Sequence, residues 1–92
     1  MDVSERKITE RDMKFLANYA NTYYPLSDSI HDYNYVVRET EGFGRAHDII
    51  VKERDAIKRK LEKARERLQR LREKYGSERV NNIVNDYDDY SN

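Results

Sequence analysis

The chain has 92 residues, no cysteine, and 18 basic against 18 acidic side chains. A domain of this length buries only roughly 60 to 65% of its unfolded surface, and because just 37% of its residues are apolar, we expect a small core. The absence of cysteine excludes disulfides and thiol chemistry. The opening residues "MDVSERKITE" have no signal-type apolar stretch, and the longest aliphatic run covers residues 49–51, so we expect a cytoplasmic protein without a membrane span.

The first predicted helix covers residues 10–24. Thr9 is a suitable N-cap, and Ile8 and Met13 have the spacing of a hydrophobic staple. Pro25 is expected to end or kink this helix, because proline lacks the N–H that a helix interior needs. Ser27 can cap a second helix over residues 27–41, whose apolar positions repeat at helical spacing.

The third predicted helix is the longest and covers residues 45–75. It follows a turn at residues 42–44 and ends at Gly76, after which Ser77 can cap a fourth helix over residues 78–87. The segment 1–8 is predicted as a lead-in, 9–87 as one helical domain, and 88–92 as a frayed acidic tail.

These lengths predict an all-α fold with an elongated shape. The third helix would be roughly 46 Å long, whereas a compact globule of this size has a radius of gyration of about 12 Å. Helices 10–24 and 27–41, placed end to end across Pro25, have about the same length. We therefore predict a long antiparallel helical hairpin with a Pro-kinked first arm, a basic second arm and a short C-terminal helix. The alternative is a small helical bundle that reverses at Pro25.

The long helix is basic along both borders of its apolar seam. Residues 51–75 carry eleven basic and five acidic side chains. In a two-stranded homodimer through this seam, cations would face cations, which disfavours that assembly. The acidic first arm is the expected neighbour of the seam. The flanking cations form the predicted basic face: Lys58, Lys60, Arg65, Arg67, Arg72 and Lys74.

The basic face raises nucleic-acid binding as an alternative function, since cations along one helix can neutralise several phosphates. Glu62, Glu66 and Glu73 dilute this charge, and the whole chain is neutral. A helix-turn-helix in residues 9–41 is disfavoured because Asp28 and Asp32 would lie in the first turn of the recognition helix.

Eight tyrosines are unusual in 92 residues. Rings buried in the core with hydroxyls at its rim are one explanation. A partner-binding surface is the other, because tyrosine is enriched at interface hot spots. The candidates for that contact are Tyr19, Tyr23, Tyr24 and Tyr35.

No set of residues predicts catalysis. The segment "SDSIHD" contains Ser27, His31 and Asp32, but neighbours on one helix point in different directions and cannot form a triad. The pattern predicts a solvated polar face for Asp28, His31 and Asp32, so we expect no metal and no cofactor. The sequence therefore predicts a non-enzymatic protein–protein interaction module: an adaptor, scaffold component or inhibitor that binds another protein or itself.

Overall fold

The computed structural model describes residues 6–88 and is all-α, as predicted. Its helices are α1 (Glu10–Glu39), α2 (Arg45–Tyr75) and α3 (Ser77–Asp86), and residues 6–88 contain no strand. Over the same range, no helix has an apolar stretch long enough to cross a membrane. The first five residues of the predicted lead-in and residues 89–92 of the predicted tail lie outside the described residues.

Helix α1 runs through Pro25, so the prediction of two separate helices, 10–24 and 27–41, is wrong. It begins as predicted, with the Thr9 hydroxyl accepting the backbone N–H of Asp12 at 3.2 Å. Pro25 gives no N–H to the helix ladder, but apolar residues on both sides of it, including Leu16 and Ile30, pack inward. We attribute the continuity to this packing against α2, which offers an unbroken helix of similar length.

Helices α1 and α2 run in opposite directions along each other. Near the turn, the Thr40 hydroxyl and His47 Nδ1 lie 3.1 Å apart. At the far end, the Tyr75 hydroxyl donates a hydrogen bond of 2.7 Å to Asp12. The molecule measures 57 × 26 × 18 Å with a radius of gyration of 16.9 Å, well above the roughly 12 Å of a compact chain of this length.

Helix α3 follows α2 almost without a linker and packs against both long helices. Gly76 makes this possible, because its φ of 95° lies in a region that residues with a Cβ rarely adopt. Val80 and Val84 are four residues apart, so they share one face of α3, and both are buried.

The core lies in one half of the molecule. Its buried residues are Leu16, Tyr19, Ala20, Leu61, Ala64, Leu68, Leu71, Tyr75, Val80 and Val84. We call residues 6–20 and 61–88, which contain all of them, the proximal segment. We call residues 21–60, where no side chain is buried, the distal segment. Helix α3 covers the proximal segment and reaches the first residues of the distal segment, where Asn21 donates a hydrogen bond of 2.9 Å to the Tyr87 carbonyl. Over the rest of the distal segment, residues 6–88 provide only the two long helices, and the side chains between them stay partly exposed.

Candidate interaction surfaces

The seam between α1 and α2 becomes polar in the distal segment. Arg54 occupies a seam position, where its Nη1 donates to Asn34 of α1 at 3.2 Å and its Nη2 forms an ion pair with Asp55, also at 3.2 Å. Beside it the Tyr33 hydroxyl donates to Glu53 at 3.1 Å, and this bond raises the pKa of Tyr33. Polar contacts of this exposed kind contribute little stability, so the distal segment is held less firmly than the proximal one.

Several large apolar side chains of the distal segment are exposed. Phe43 in the turn is 68% exposed, Tyr35 on α1 is 59% exposed, and Ile49 on α2 is 49% exposed. Single exposed apolar residues are common on protein surfaces. Here they accompany a row of half-buried aliphatic side chains that no third helix among residues 6–88 buries: Leu26, Ile30, Val36, Val37, Ile50, Val51 and Ile57.

The four predicted contact tyrosines do not form one surface. Tyr19 is 5% exposed and belongs to the core, where burial raises the pKa of its hydroxyl. Its ring centroid lies 5.1 Å from that of Tyr23 and 6.2 Å from that of Tyr24, and both of these neighbours are half-buried against the core. The Tyr19 side chain is therefore a packing residue. Of the four, only Tyr35 is largely exposed.

The predicted basic face is divided between two sides of α1. Arg67 and Lys74 lie on one side, where both contact Asp12 of α1. Arg72 lies on the other side, where its Nε donates a hydrogen bond of 2.9 Å to Asn81 of α3. Because α1 lies between the two borders of the seam, these cations cannot contact one flat polyanion together. Helical spacing divides the remaining members in the same way, with Lys60 on the first side and Lys58 and Arg65 on the second.

Sequence reasoning missed a row of cations along one line of α2. Its members, alternately three and four residues apart, are Lys60, Lys63, Arg67, Arg70 and Lys74. We call this row the basic stripe; all of it is exposed except the half-buried Arg67. The row is about 21 Å long at 1.5 Å per residue. Its regular spacing is present in the sequence, but a heptad pattern places only Lys60, Arg67 and Lys74 at the border of the seam, and Lys63 and Arg70 lie one position further out.

Helix α1 contributes to the same side of the molecule. Arg11 and Lys14 line a shallow groove with Arg67, and the Arg67 guanidinium lies 4.2 Å from the centroid of the Phe15 ring. At that distance a cation–π contact adds to the attraction and holds the guanidinium over α1. The groove thus has an aromatic floor and cationic walls.

Asp12 is the main acidic group on this side. Its carboxylate accepts the Tyr75 hydroxyl at 2.7 Å, contacts Arg67 at 3.4 Å and Lys74 at 3.7 Å, and has a side chain only 14% exposed. The pKa of Asp12 lies below its ordinary value of 3.8, chiefly because of the Tyr75 hydrogen bond, helped by Thr9, Arg67 and Lys74 and opposed by burial. Asp12 therefore stays ionised and fastens the start of α1 to the end of α2.

We expect Asp12→Asn to lower the free energy of unfolding by about 1 kcal/mol at pH 7, through weaker bonds to Tyr75 and the two cations. A carboxyl whose native pKa is lowered stabilises the fold above its unfolded pKa and loses that effect as pH falls through the native value. The difference between wild type and Asp12→Asn should therefore shrink below pH about 4. Urea denaturation at pH 7 and again below pH about 4 measures this difference in the free energy of unfolding. Glu73→Gln, at an exposed site on α2, is the control. A difference that stayed constant down to pH 2 would contradict the assigned ionisation.

Two further polar side chains, Ser29 and His47, have partners within the fold. The Ser29 hydroxyl donates to the Pro25 carbonyl at 3.0 Å, a bond within one helix. His31 is exposed, while His47 contacts Thr40 in the turn. Within residues 6–88, no group of three His, Cys, Asp or Glu side chains could hold a metal ion.

No protein-family model, no curated protein and no solved structure matches the chain. Evidence for its function therefore comes from the surfaces of the molecule itself.

Proposed function

We propose that the chain is a non-enzymatic protein–protein interaction module and that the distal segment is its partner-binding surface. The observation that carries this proposal is the contrast between the two halves: α3 completes a core in the proximal segment, whereas no side chain is buried over residues 21–60. A helix pair with one uncovered apolar side gains stability when another element covers it.

The exposed residues of the distal segment are of the kinds that contribute most to interfaces. Tyr35 and Phe43 offer aromatic rings with little conformational entropy to lose, and aromatic residues are enriched in interface cores. Ile49 adds aliphatic area on α2. The weaker packing of this segment also lets its side chains adjust to a partner at low cost.

Nucleic-acid binding, the alternative, has less support. Arg11 and Lys14 of α1 lie beside the basic stripe, but helical spacing places Glu66 and Glu73 along the outer border of the stripe. Asp12 already engages two of its five cations, Arg67 and Lys74. A neutral chain also lacks the overall positive field that draws proteins to a polyanion.

Site-specific photocrosslinking in cells of the source organism tests the proposed function. We expect a photoreactive phenylalanine analogue at position 43 to form discrete protein adducts. The same analogue at Asn82, which is exposed on α3 in the proximal segment, should form none. Adding Ile49→Ser, which shortens the apolar surface of the distal segment, should reduce the position-43 adducts several-fold if the surface binds as a unit. Absence of protein adducts at positions 35, 43 and 49 would refute the proposal.

A further inference from the structure

One line of α2 runs beside the seam along its whole length and changes from largely apolar to basic halfway. Its distal part reads Ala46, Ile49, Glu53 and Ala56, alternately three and four residues apart, and its proximal part is the basic stripe that begins at Lys60. All four distal members are exposed. We call the complete line the outer stripe; it lies along one border of the seam, where Glu53, Arg67 and Lys74 also contact α1.

We propose that the outer stripe binds a second copy of this chain in antiparallel orientation, with Ala56 next to the two-fold axis. This inference rests on the proposed function and names its partner. The distribution of charge decides the orientation. In a parallel pair the basic stripes would meet each other, whereas in an antiparallel pair each basic stripe meets the distal part of the other copy's outer stripe, whose members before Lys60 include no cation.

The register follows from the only acidic member of the outer stripe. Glu53 and Lys60 are equally distant from a point between residues 56 and 57, at about 5 Å along the helix. A two-fold axis at that point places Glu53 of each copy level with Lys60 of the other. The contact is then self-complementary, as a closed dimer requires. The small side chain of Ala56 allows the two helices to approach closely where they cross.

Helix α1 adds acidic groups at matching levels. Asp32 and Glu39 are exposed. Their neighbours on α1 contact α2, Tyr33 through Glu53 and Thr40 through His47. Because the helices are antiparallel, Asp32 lies level with about residue 54 of α2, and Glu39 with about residue 48. The two-fold relation brings those levels opposite about residues 59 and 65 of the second copy, within the basic stripe.

The two carboxylates also lie on the required side of α1. Asp32 is 18 residues from Lys14, or about five helical turns, so the two share one side of the helix. Lys14 lines the groove that contains Arg67 of the basic stripe. The acidic groups of α1 and the outer stripe of α2 therefore face the same flank, where a second copy can contact both.

Because the chain contains no cysteine, a single introduced thiol tests the axis directly. The purified full chain should have a mass near 22 kDa by light scattering, twice its 11.1 kDa. We expect Ala56→Cys to form a disulfide-linked dimer under mild oxidation. Ala46→Cys, which is exposed on the same stripe, should not, because its two thiols would be about 30 Å apart. A monomeric wild type, or equal cross-linking of the two variants, would overturn the proposal.

Charge exchange tests the register. Lys60→Glu and Glu53→Lys should each weaken dimerisation about tenfold, and combining them should restore it, since the pair is then only reversed. Lys58→Glu makes the same charge change on the other border of the seam and should leave the dimer intact. Equal weakening by Lys58→Glu, or failure of the double variant to recover, would count against this register.

Light scattering and photocrosslinking together distinguish failure of the dimer from failure of the interaction module. A monomeric protein that still forms heterologous adducts at position 43 would end the dimer proposal and leave the interaction module standing. A dimer whose analogues at positions 35 and 43 form no adduct, while the analogue at position 49 on the outer stripe cross-links the two copies, would keep the dimer and contradict the wider binding surface proposed for the distal segment.

Discussion

Leu16→Ala is expected to lower the free energy of unfolding by about 3 kcal/mol. Leu16 is fully buried at the centre of the core, among residues of all three helices. Removing its side chain loses apolar burial and leaves a cavity that surrounding helices cannot close without giving up other contacts. Urea denaturation followed by circular dichroism at pH 7 measures the change. In a small protein of ordinary stability, such a loss leaves a substantial unfolded population.

Ile30→Ala is the matched control. It removes an aliphatic side chain of the same size from the same helix, but Ile30 is only half-buried and lies in the distal segment. The expected loss is about 1 kcal/mol, because part of the side chain is already in water and no closed cavity forms. Equal losses for Leu16→Ala and Ile30→Ala would contradict the division of the molecule into a packed half and an uncovered half.

This division also links stability to binding. A segment whose helices are joined by half-buried aliphatic side chains and exposed polar contacts, such as Tyr33 with Glu53, opens at lower free energy than the core. A partner that covers the distal segment would take the role there that α3 has in the proximal segment, where it packs against both long helices. The proximal segment would meanwhile keep the two long helices aligned, so the binding surface need not form from an unfolded chain.

The helix ends were predictable from sequence where a local signal determines them. Thr9 caps α1 with its own hydroxyl, and Gly76 takes a positive φ between α2 and α3; both effects depend on the residue and its immediate neighbours. The course of the chain at Pro25 was not predictable in this way. A local rule places a break there, whereas packing along α2, which involves residues far away in sequence, keeps the helix continuous.

The surfaces were predictable only in part, because they depend on where α1 lies. A heptad assignment identifies Lys60 and Arg65 as borders of the same seam, but it does not show that a second helix separates them. Likewise, the spacing of Tyr19 and Tyr23 places them on one stripe without saying which helix buries it. The basic stripe was different, since the regular spacing of its five cations is present in the sequence itself.

Pro25→Ala is expected to raise the free energy of unfolding by about 1 to 3 kcal/mol. Proline is about 3 kcal/mol less favourable than alanine in a helix interior, because it lacks an N–H and its ring crowds the preceding turn. Since α1 is continuous over Glu10–Glu39, alanine fits the existing backbone and restores a donor to the ladder. The half-buried ring gives up some apolar contact, which keeps the gain below the full value. Thermal and urea unfolding of the full chain measure the change.

Thr22→Ala controls for helix propensity alone. Thr22 is exposed on α1, three residues before Pro25, and its replacement should add no more than about 0.7 kcal/mol. A chain that reversed or broke at residue 25 would respond in the opposite way: proline would then favour the turn, and Pro25→Ala would leave stability unchanged or reduce it. The change in the free energy of unfolding for Pro25→Ala, compared with that for Thr22→Ala, therefore distinguishes one 30-residue helix from two shorter ones. It also distinguishes the elongated pair of helices from a bundle folded back at Pro25.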